Sequence, residues 1–303
     1  MEKKLTVFTP TYNRAYTLHK TYESLKKQNK DKFLWLIIDD GSTDNTKELV
    51  EKWIAEEIIE IKYYYQDNQG MHGAHNTAYE LIDTELNVCI DSDDAIAEGS
   101  VDKIIEFWEV NKRDDIAGIA GLDIYEDKSI IGTKFPVDLK ESTLFDLYHK
   151  YNVQGDKKLV YRTDLTKQYP YPIFEGEKYV GLAYKYNKID LTHKLLLINE
   201  AFCIVEYMED GSSRNMLNQY MKNPKGFAFY RKENMKNPKG SILYKFKESV
   251  HYVSSSKISK NKRYLKESPC KILTFLAIPL GIALSGYIIR KADGNNVSLS
   301  KAN

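Results

Sequence analysis

Four strand-like runs rich in apolar residues, at 5–9, 33–38, 59–65 and 86–90, alternate with stretches of helical period, and this constrains the fold more than any other feature. The first run stops at Pro10. The next stretch carries Tyr16, Leu18, Tyr22 and Leu25 at helical spacing over 15–28. The second run ends at Asp39-Asp40-Gly41-Ser42, where Ser42 or Thr43 is suited to cap a helix running to about Ala55. The third leads through Asn68-Gln69-Gly70 into a helix reaching about Ile82, and the fourth delivers Asp91-Ser92-Asp93-Asp94. Apolar strands separated by helices predict an α/β architecture, a mostly parallel sheet with helices on both faces.

Ligands of such sheets sit beyond the carboxyl ends of the strands. Here all four ends are polar and rich in small or turn-forming residues. The run Val88-Cys89-Ile90 closing on three carboxylates is costly unless something positive offsets their repulsion. A divalent cation with oxygen ligands is the usual solution, and on an extended backbone Asp91 and Asp93 share one side with Ser92 on the other. An isolated cluster of this kind is also compatible with a solvated turn.

The remaining composition narrows the class. With 44 Lys and Arg against 43 Asp and Glu, net charge +1, nothing favours nucleic acid as a partner. Met1-Glu2-Lys3-Lys4 leads straight into a strand, unlike a signal peptide, and three scattered cysteines (Cys89, Cys203, Cys270) fit a reducing cytoplasm. Residues 126–215 are aromatic and less regular, with a long strand or strand pair at 195–205, and residues 216–270 read as a basic helical extension. Met-Lys-Asn-Pro-Lys-Gly occurs twice, at 221–226 and 235–240, and reads as a repeated helix break. The segment 271–291 is apolar between Lys266, Lys271, Arg290 and Lys291, with a polar tail at 292–303. Its uncharged core would reach roughly 27 Å as a helix, marginal for a bilayer. Interfacial attachment, a span and a helix packed on protein all remain open, the first being favoured.

Together, Val7-Phe8-Thr9-Pro10-Thr11-Tyr12-Asn13-Arg14, Ile38-Asp39-Asp40-Gly41-Ser42, Asn68-Gln69-Gly70 with Ala74-His75-Asn76, and Asp91-Ser92-Asp93-Asp94 resemble the family 2 glycosyltransferases. These are inverting, nucleotide-sugar-dependent enzymes of the GT-A fold, and the chain looks most like bacterial members that build capsule, wall or exopolysaccharide. The resemblance covers roughly residues 1–125 and implies a catalytic domain over 1–215, with a nucleotide-sugar half (1–125) and an acceptor-side half (126–215).

It also implies roles. Thr9, Pro10, Tyr12 and Arg14 would line the nucleotide pocket, Tyr12 near the base and Arg14 near the diphosphate. Asp39 or Asp40 would accept from a uracil N–H, so the donor would be a UDP-sugar. Asn68 and Gly70 would shape the loop beneath it. His75 stands where the family often has Arg, and Ser92 lies within the Asp-Xaa-Asp signature. Asp93 would ligate Mn²⁺ or Mg²⁺, and Asp91 would assist through the ribose or a water. Glu177 is the candidate general base, followed by Glu175 and Asp210.

The processive Gln-Xaa-Xaa-Arg-Trp motif cannot follow Glu177, since the tryptophans are Trp35, Trp53 and Trp108. Transfer of a single sugar to a saccharide acceptor, lipid-linked and at the inner face of the cell membrane, is the expected activity. A nucleotidyltransferase is less favoured because 9–14 lacks glycine. A non-catalytic assembly subunit with the same fold is the third reading.

Overall fold

A computed structural model describes residues 3–206, 208 and 216–299. Asp210 and most of the acidic turn at 206–213 lie outside the described residues. The chain divides into two compact units, one of Met1–Pro170 with Lys185–Met208, the other of Tyr171–Tyr184 with Glu209–Asn303.

The first unit opens with β1 (Leu5–Thr11), α1 (Ala15–Leu25), β2 (Phe33–Asp39), α2 (Thr46–Glu56), β3 (Ile61–Tyr65), α3 (Met71–Leu81) and β4 (Leu86–Cys89). Next come β5 (Ala95–Ile96), α4 (Ser100–Asn111), β6 (Ile116–Ile124), β7 (Glu141–Ser142), α5 (Leu144–His149), β8 (Lys157–Arg162), α6 (Thr163–Thr166), α7 (Ala183–Ile189) and β9 (Lys194–Ile204). One sheet joins the strands in the order β3-β2-β1-β4-β8-β6-β9-β5, with β7 beside β9.

The first four strands pair in parallel, as their apolar runs predict, while β8 runs antiparallel between β4 and β6. The chain steps outward from β1 through β2 to β3 and then returns to place β4 on the other side of β1. In sheets of this kind such a reversal marks the place at the carboxyl edge where a ligand is expected to bind.

Pro10 does not end β1. Lys4 and Phe8 present their carbonyls to Leu86 and Ile90, so even-numbered residues face β4. Pairing with β4 ends at Phe8 opposite Cys89, so the N–H that Pro10 lacks has no ladder partner to lose.

Two apolar clusters cover the opposite faces of the sheet, separated by the alternation of side chains along each strand. Ile119, Val160 and Leu196 lie in one, Ala120, Tyr161 and Leu195 in the other. In the first, Tyr22 stacks on Trp53 at 4.3 Å beside Trp35, a geometry contributing roughly 0.5–1.5 kcal/mol beyond simple burial.

In the second unit, α8 (Met216–Lys222), α9 (Pro224–Met235), α10 (Ile242–Ile258), α11 (Tyr264–Glu267), α12 (Lys271–Leu276) and α13 (Ile278–Leu299) follow one another. The first copy of the hexapeptide breaks α8 from α9, with Asn223 at the cap and Pro224 at the first helical position, where no N–H is needed. The second forms the turn between α9 and α10. Buried Glu248 accepts from Arg231 at 3.1 Å and Asn234 at 3.0 Å, tying α9 to α10. No described helix is long and apolar enough to cross a membrane. The apolar tail is divided at Ala277 because Pro279 cannot continue the hydrogen bonds of α12.

Candidate active site at the carboxyl edge of the sheet

Thr11, Asp39 and Tyr65 share one row across β1, β2 and β3, so the loops after these strands start level. The first two interlock. Asn13, at φ +53°, accepts from the Thr43 N–H at 2.7 Å, while its own N–H donates to Ser42 Oγ at 2.9 Å. Asp44 accepts the N–H of Ala15 at 3.1 Å at the start of α1. Ser42, expected to cap α2, is thus engaged with the β1 loop, and α2 begins later, at Thr46, beside Asp44.

Asp39 and Asp40 are both buried, and both organise loops. Asp39 accepts the Ser42 N–H at 2.7 Å on one oxygen and the Tyr63 hydroxyl at 2.6 Å on the other. Asp40 accepts from the Gln66 amide and the Gln69 N–H on one oxygen and the Gly70 N–H on the other, all within 2.8 Å. Gly41 has φ +87°, and a Cβ there would meet the Asn68 nitrogen at 2.9 Å, so the two loops touch because this residue has no side chain.

Two further groups lie at this edge. Gln66 gives its N–H to Asp40 and keeps a buried carbonyl oxygen without a hydrogen-bond partner, and the Thr11 hydroxyl is likewise buried and unpartnered. Such groups are costly unless a ligand or water satisfies them.

Asp91 to Asp94 form a tight turn rather than an extended segment, because the Asp94 N–H donates to the Asp91 carbonyl at 3.0 Å. The Thr21 hydroxyl of α1 holds both ends, at 3.3 Å from the Asp91 carbonyl and 2.8 Å from that of Asp94. Asp91 and Asp93 are half-buried, whereas Ser92 and Asp94 are buried. Asp94 points inward, accepting the Glu206 N–H at 3.3 Å, with Cys203 Sγ at 3.6 Å and Lys158 Nζ at 3.9 Å. Burial, together with repulsion from Asp91 and Asp93, pushes its carboxyl up to about 7 in spite of Lys158.

Burial alone would lower the Lys158 ammonium. Cys203, Asp123, Asp94 and Asp91 around it more than reverse this and hold it well above its ordinary range. Asp123, at the end of β6, is buried with an unpartnered Oδ1, and burial raises its carboxyl too. It closes an apolar run as Asp39 and Asp91 do, which is the signal that would have found it.

The other expected residues divide. Tyr12 is exposed, and Arg14, half-buried, bonds the Tyr16 hydroxyl and lies 5.6 Å from its ring centre. Thr9 is fully buried, accepting the Trp35 indole N–H at 3.0 Å, so it belongs to the core and not to a nucleotide pocket. His75 is also buried, edge-on to Phe8 at 5.0 Å with Nδ1 3.2 Å from the Tyr79 hydroxyl. Burial, with Lys185 and His72 nearby, lowers it to about 3, so at neutral pH it offers no positive charge to a phosphate.

Glu177, in the second unit, is buried, and its oxygens accept the Lys225 and Gly226 N–H groups at 2.9 and 2.8 Å. It caps the first turn of α9, a helix distant in sequence, and does not present a free carboxylate. Glu175 is exposed on the turn closed by the Glu177 N–H and the Phe174 carbonyl.

Among the described residues no three His, Cys, Asp or Glu side chains form a ready-made metal cage. Asp91 and Asp93 still fit a hard cation of the kind held by one or two carboxylates with substrate phosphates and water. Burial is the main cause of the raised Asp94 carboxyl and repulsion from Asp91 and Asp93 adds to it, so the turn carries negative charge that a cation would offset.

Comparison with known proteins gives a consistent picture. A GalNAc(5)-diNAcBac-PP-undecaprenol beta-1,3-glucosyltransferase of Campylobacter jejuni is 30% identical over 105 residues, 34% of each chain. The chain matches only 18–39% of the length of curated relatives such as this. Among solved structures, Staphylococcus aureus TarS 1–349 in complex with UDP-GlcNAc superposes with a TM-score of 0.62 at 18% identity, over 96% of this chain and 92% of that one. The mannosyltransferase PcManGT of Pyrobaculum calidifontis, in complex with GDP-Man and Mn²⁺, gives 0.55 at 14% identity, over 94% and 87%. These likenesses establish a GT-A-like fold. The family model described as glycosyl transferase family 2 matches residues 6–169, more than half of the sequence, and the chain belongs to that family.

Proposed function

We propose that the protein is an inverting, metal-dependent glycosyltransferase that moves one sugar from a UDP-sugar to a saccharide acceptor. The acceptor would be lipid-linked, and the pathway bacterial cell-surface polysaccharide synthesis at the inner face of the membrane. The observation that carries this reading is the carboxyl edge itself. A loop pinned by Asp40, two buried groups awaiting partners and a crowded acidic turn line one edge of the sheet.

In this reading Tyr12 flanks the base and Asp39 accepts its N–H, since each Asp39 oxygen carries only one of the bonds described above and keeps a lone pair. Gln66 Oε1 and the Thr11 hydroxyl supply further contacts, with Pro10, Asn68 and Gly70 shaping the walls and Arg14 near the diphosphate. Asp93 and Asp91 would hold Mn²⁺ or Mg²⁺, with Ser92 between them, and the bound ion would offset negative charge on the departing UDP. The acceptor proton goes to a carboxylate. Glu177 is the expected base and keeps a lone pair on each oxygen, but it is buried against the start of α9, whereas Glu175 is exposed on the preceding turn, so we assign that role to Glu175.

The UDP-GlcNAc complex of TarS and the Mn²⁺ complex of PcManGT support the donor and metal, and the undecaprenol-linked substrate named for the Campylobacter relative supports the acceptor class. Incubation with a panel of UDP-sugars and Mn²⁺, followed by UDP release, tests the reading. UDP release that stops on metal removal is expected. Pyrophosphate production, or no turnover and no UDP binding, would overturn it.

A further inference from the structure

Helices α12 and α13 are inside-out for a protein surrounded by water. The inward face is built mostly from small residues, Thr274, Ala277, Gly281 and Ser285, with Ile288 the one large apolar side chain buried there. A Cβ on Gly281 would come within 2.5 Å of Val253 of α10, so the two helices pack closely. The outward face carries the bulk: Ile272 is 78% exposed, Phe275 62%, Leu276 58%, Leu280 54%, Tyr287 53% and Ile282 47%. Residues 272–289 contain no charged residue. Small residues between helices and large apolar ones outside is the arrangement of helices in lipid, where burying large side chains between helices gains little.

A second observation identifies the medium. Residues 257–271, leading into α12, hold Lys257, Lys260, Lys262, Arg263, Lys266 and Lys271 against one acid, Glu267. All six basic side chains are exposed, and Arg290 and Lys291 lie at the far end of the stripe. A symmetric contact with a second copy would bring these basic segments together, whereas lipid phosphates neutralise them.

We propose that α12 and α13 lie in the plane of an anionic phospholipid surface, the stripe 272–289 among the acyl chains and the basic segment 257–271 at the phosphates. The break at Ala277 and the length of the uncharged stretch suit immersion from one side and not a span. This deepens the membrane-facing part of the proposed function and is independent of which sugar is transferred.

The test is flotation of the full chain with phosphatidylcholine vesicles containing about one third phosphatidylglycerol, compared with phosphatidylcholine alone. Binding to the anionic vesicles should be at least about tenfold tighter and weaken as salt is raised. The double variant Phe275→Ser/Leu280→Ser should remain unbound with its circular dichroism melt unchanged. Lys262→Glu/Lys266→Glu should lose the preference for phosphatidylglycerol. UDP release in solution should be the same for all of these variants, which separates failure of lipid binding from failure of the enzymatic reading. Three results would overturn the proposal: no flotation of the parent chain, undiminished flotation of Phe275→Ser/Leu280→Ser, or a dimer in solution that this variant splits without any vesicle binding.

Discussion

Lys158 Nζ stands 3.9 Å from Asp94 Oδ2 where both side chains are almost out of contact with water. The pair joins β8 to the acidic turn, and Lys158 also serves Asp123 and Asp91, so removing the ammonium leaves several acids uncompensated. Lys158→Met should therefore cost about 3 kcal/mol in urea unfolding, and Lys158→Met/Asp94→Leu should recover only part of it, because Asp123 stays buried without its cation. An additive double variant would mean that the two groups do not interact.

Asp93 sits at the corner of the turn and is half-buried, so its carboxylate can be changed without disturbing the core. Asp93→Asn should leave stability within about 0.5 kcal/mol of the parent and lower Mn²⁺-dependent turnover by about two orders of magnitude or more. Chelation of divalent ions should do the same to the parent. Near-normal turnover in Asp93→Asn would remove this residue from the metal site.

Glu177 and Glu175 make opposite predictions. Glu177→Gln loses a charged acceptor at the start of α9 and should lower stability by about 1–2 kcal/mol, with turnover per folded molecule little changed. Glu175→Gln should fold normally and lose turnover by roughly two to four orders of magnitude. If the kinetic loss instead follows Glu177, the base role returns to it.

His75 gives a pH signature. Its folded value of about 3 lies below the ordinary 6.5, so between these limits the unfolded chain holds a proton that the folded chain refuses. This contribution to stability is complete above about pH 6.5 and falls as the pH drops, by at most about 1.4 kcal/mol per unit. Between pH 6.5 and 5 the parent should lose about 1.6 kcal/mol more than His75→Phe in matched urea titrations. Equal losses would show that the imidazole takes up a proton while folded.

The first half of the sheet is legible in the sequence because its strands are apolar runs bounded by Pro, Gly and Asp, and the loops that follow them carry the site. Strand β6 escapes such a reading because Gly118 and Gly121 interrupt its pattern, and Asp123 escapes with it. Thr9 is a polar residue beside the site in sequence, and only the fold reveals that Trp35 uses its hydroxyl. Glu177 looked like a base because its neighbours in sequence are acidic, while its partners lie 48 and 49 residues away. Contacts at that distance leave no trace in local spacing. The tail shows the same limit: hydropathy marks 271–291 as apolar but does not say which side faces out.

The three donors that Asp40 gathers from the β3–α3 connection have one further consequence. That loop is ordered by a carboxylate of the protein itself, so its conformational entropy is lost at folding and not at each encounter with a nucleotide. A nucleotide arriving at this edge meets a rim already set, and its capture should follow a single kinetic phase, proportional to concentration, with no slow rearrangement after it.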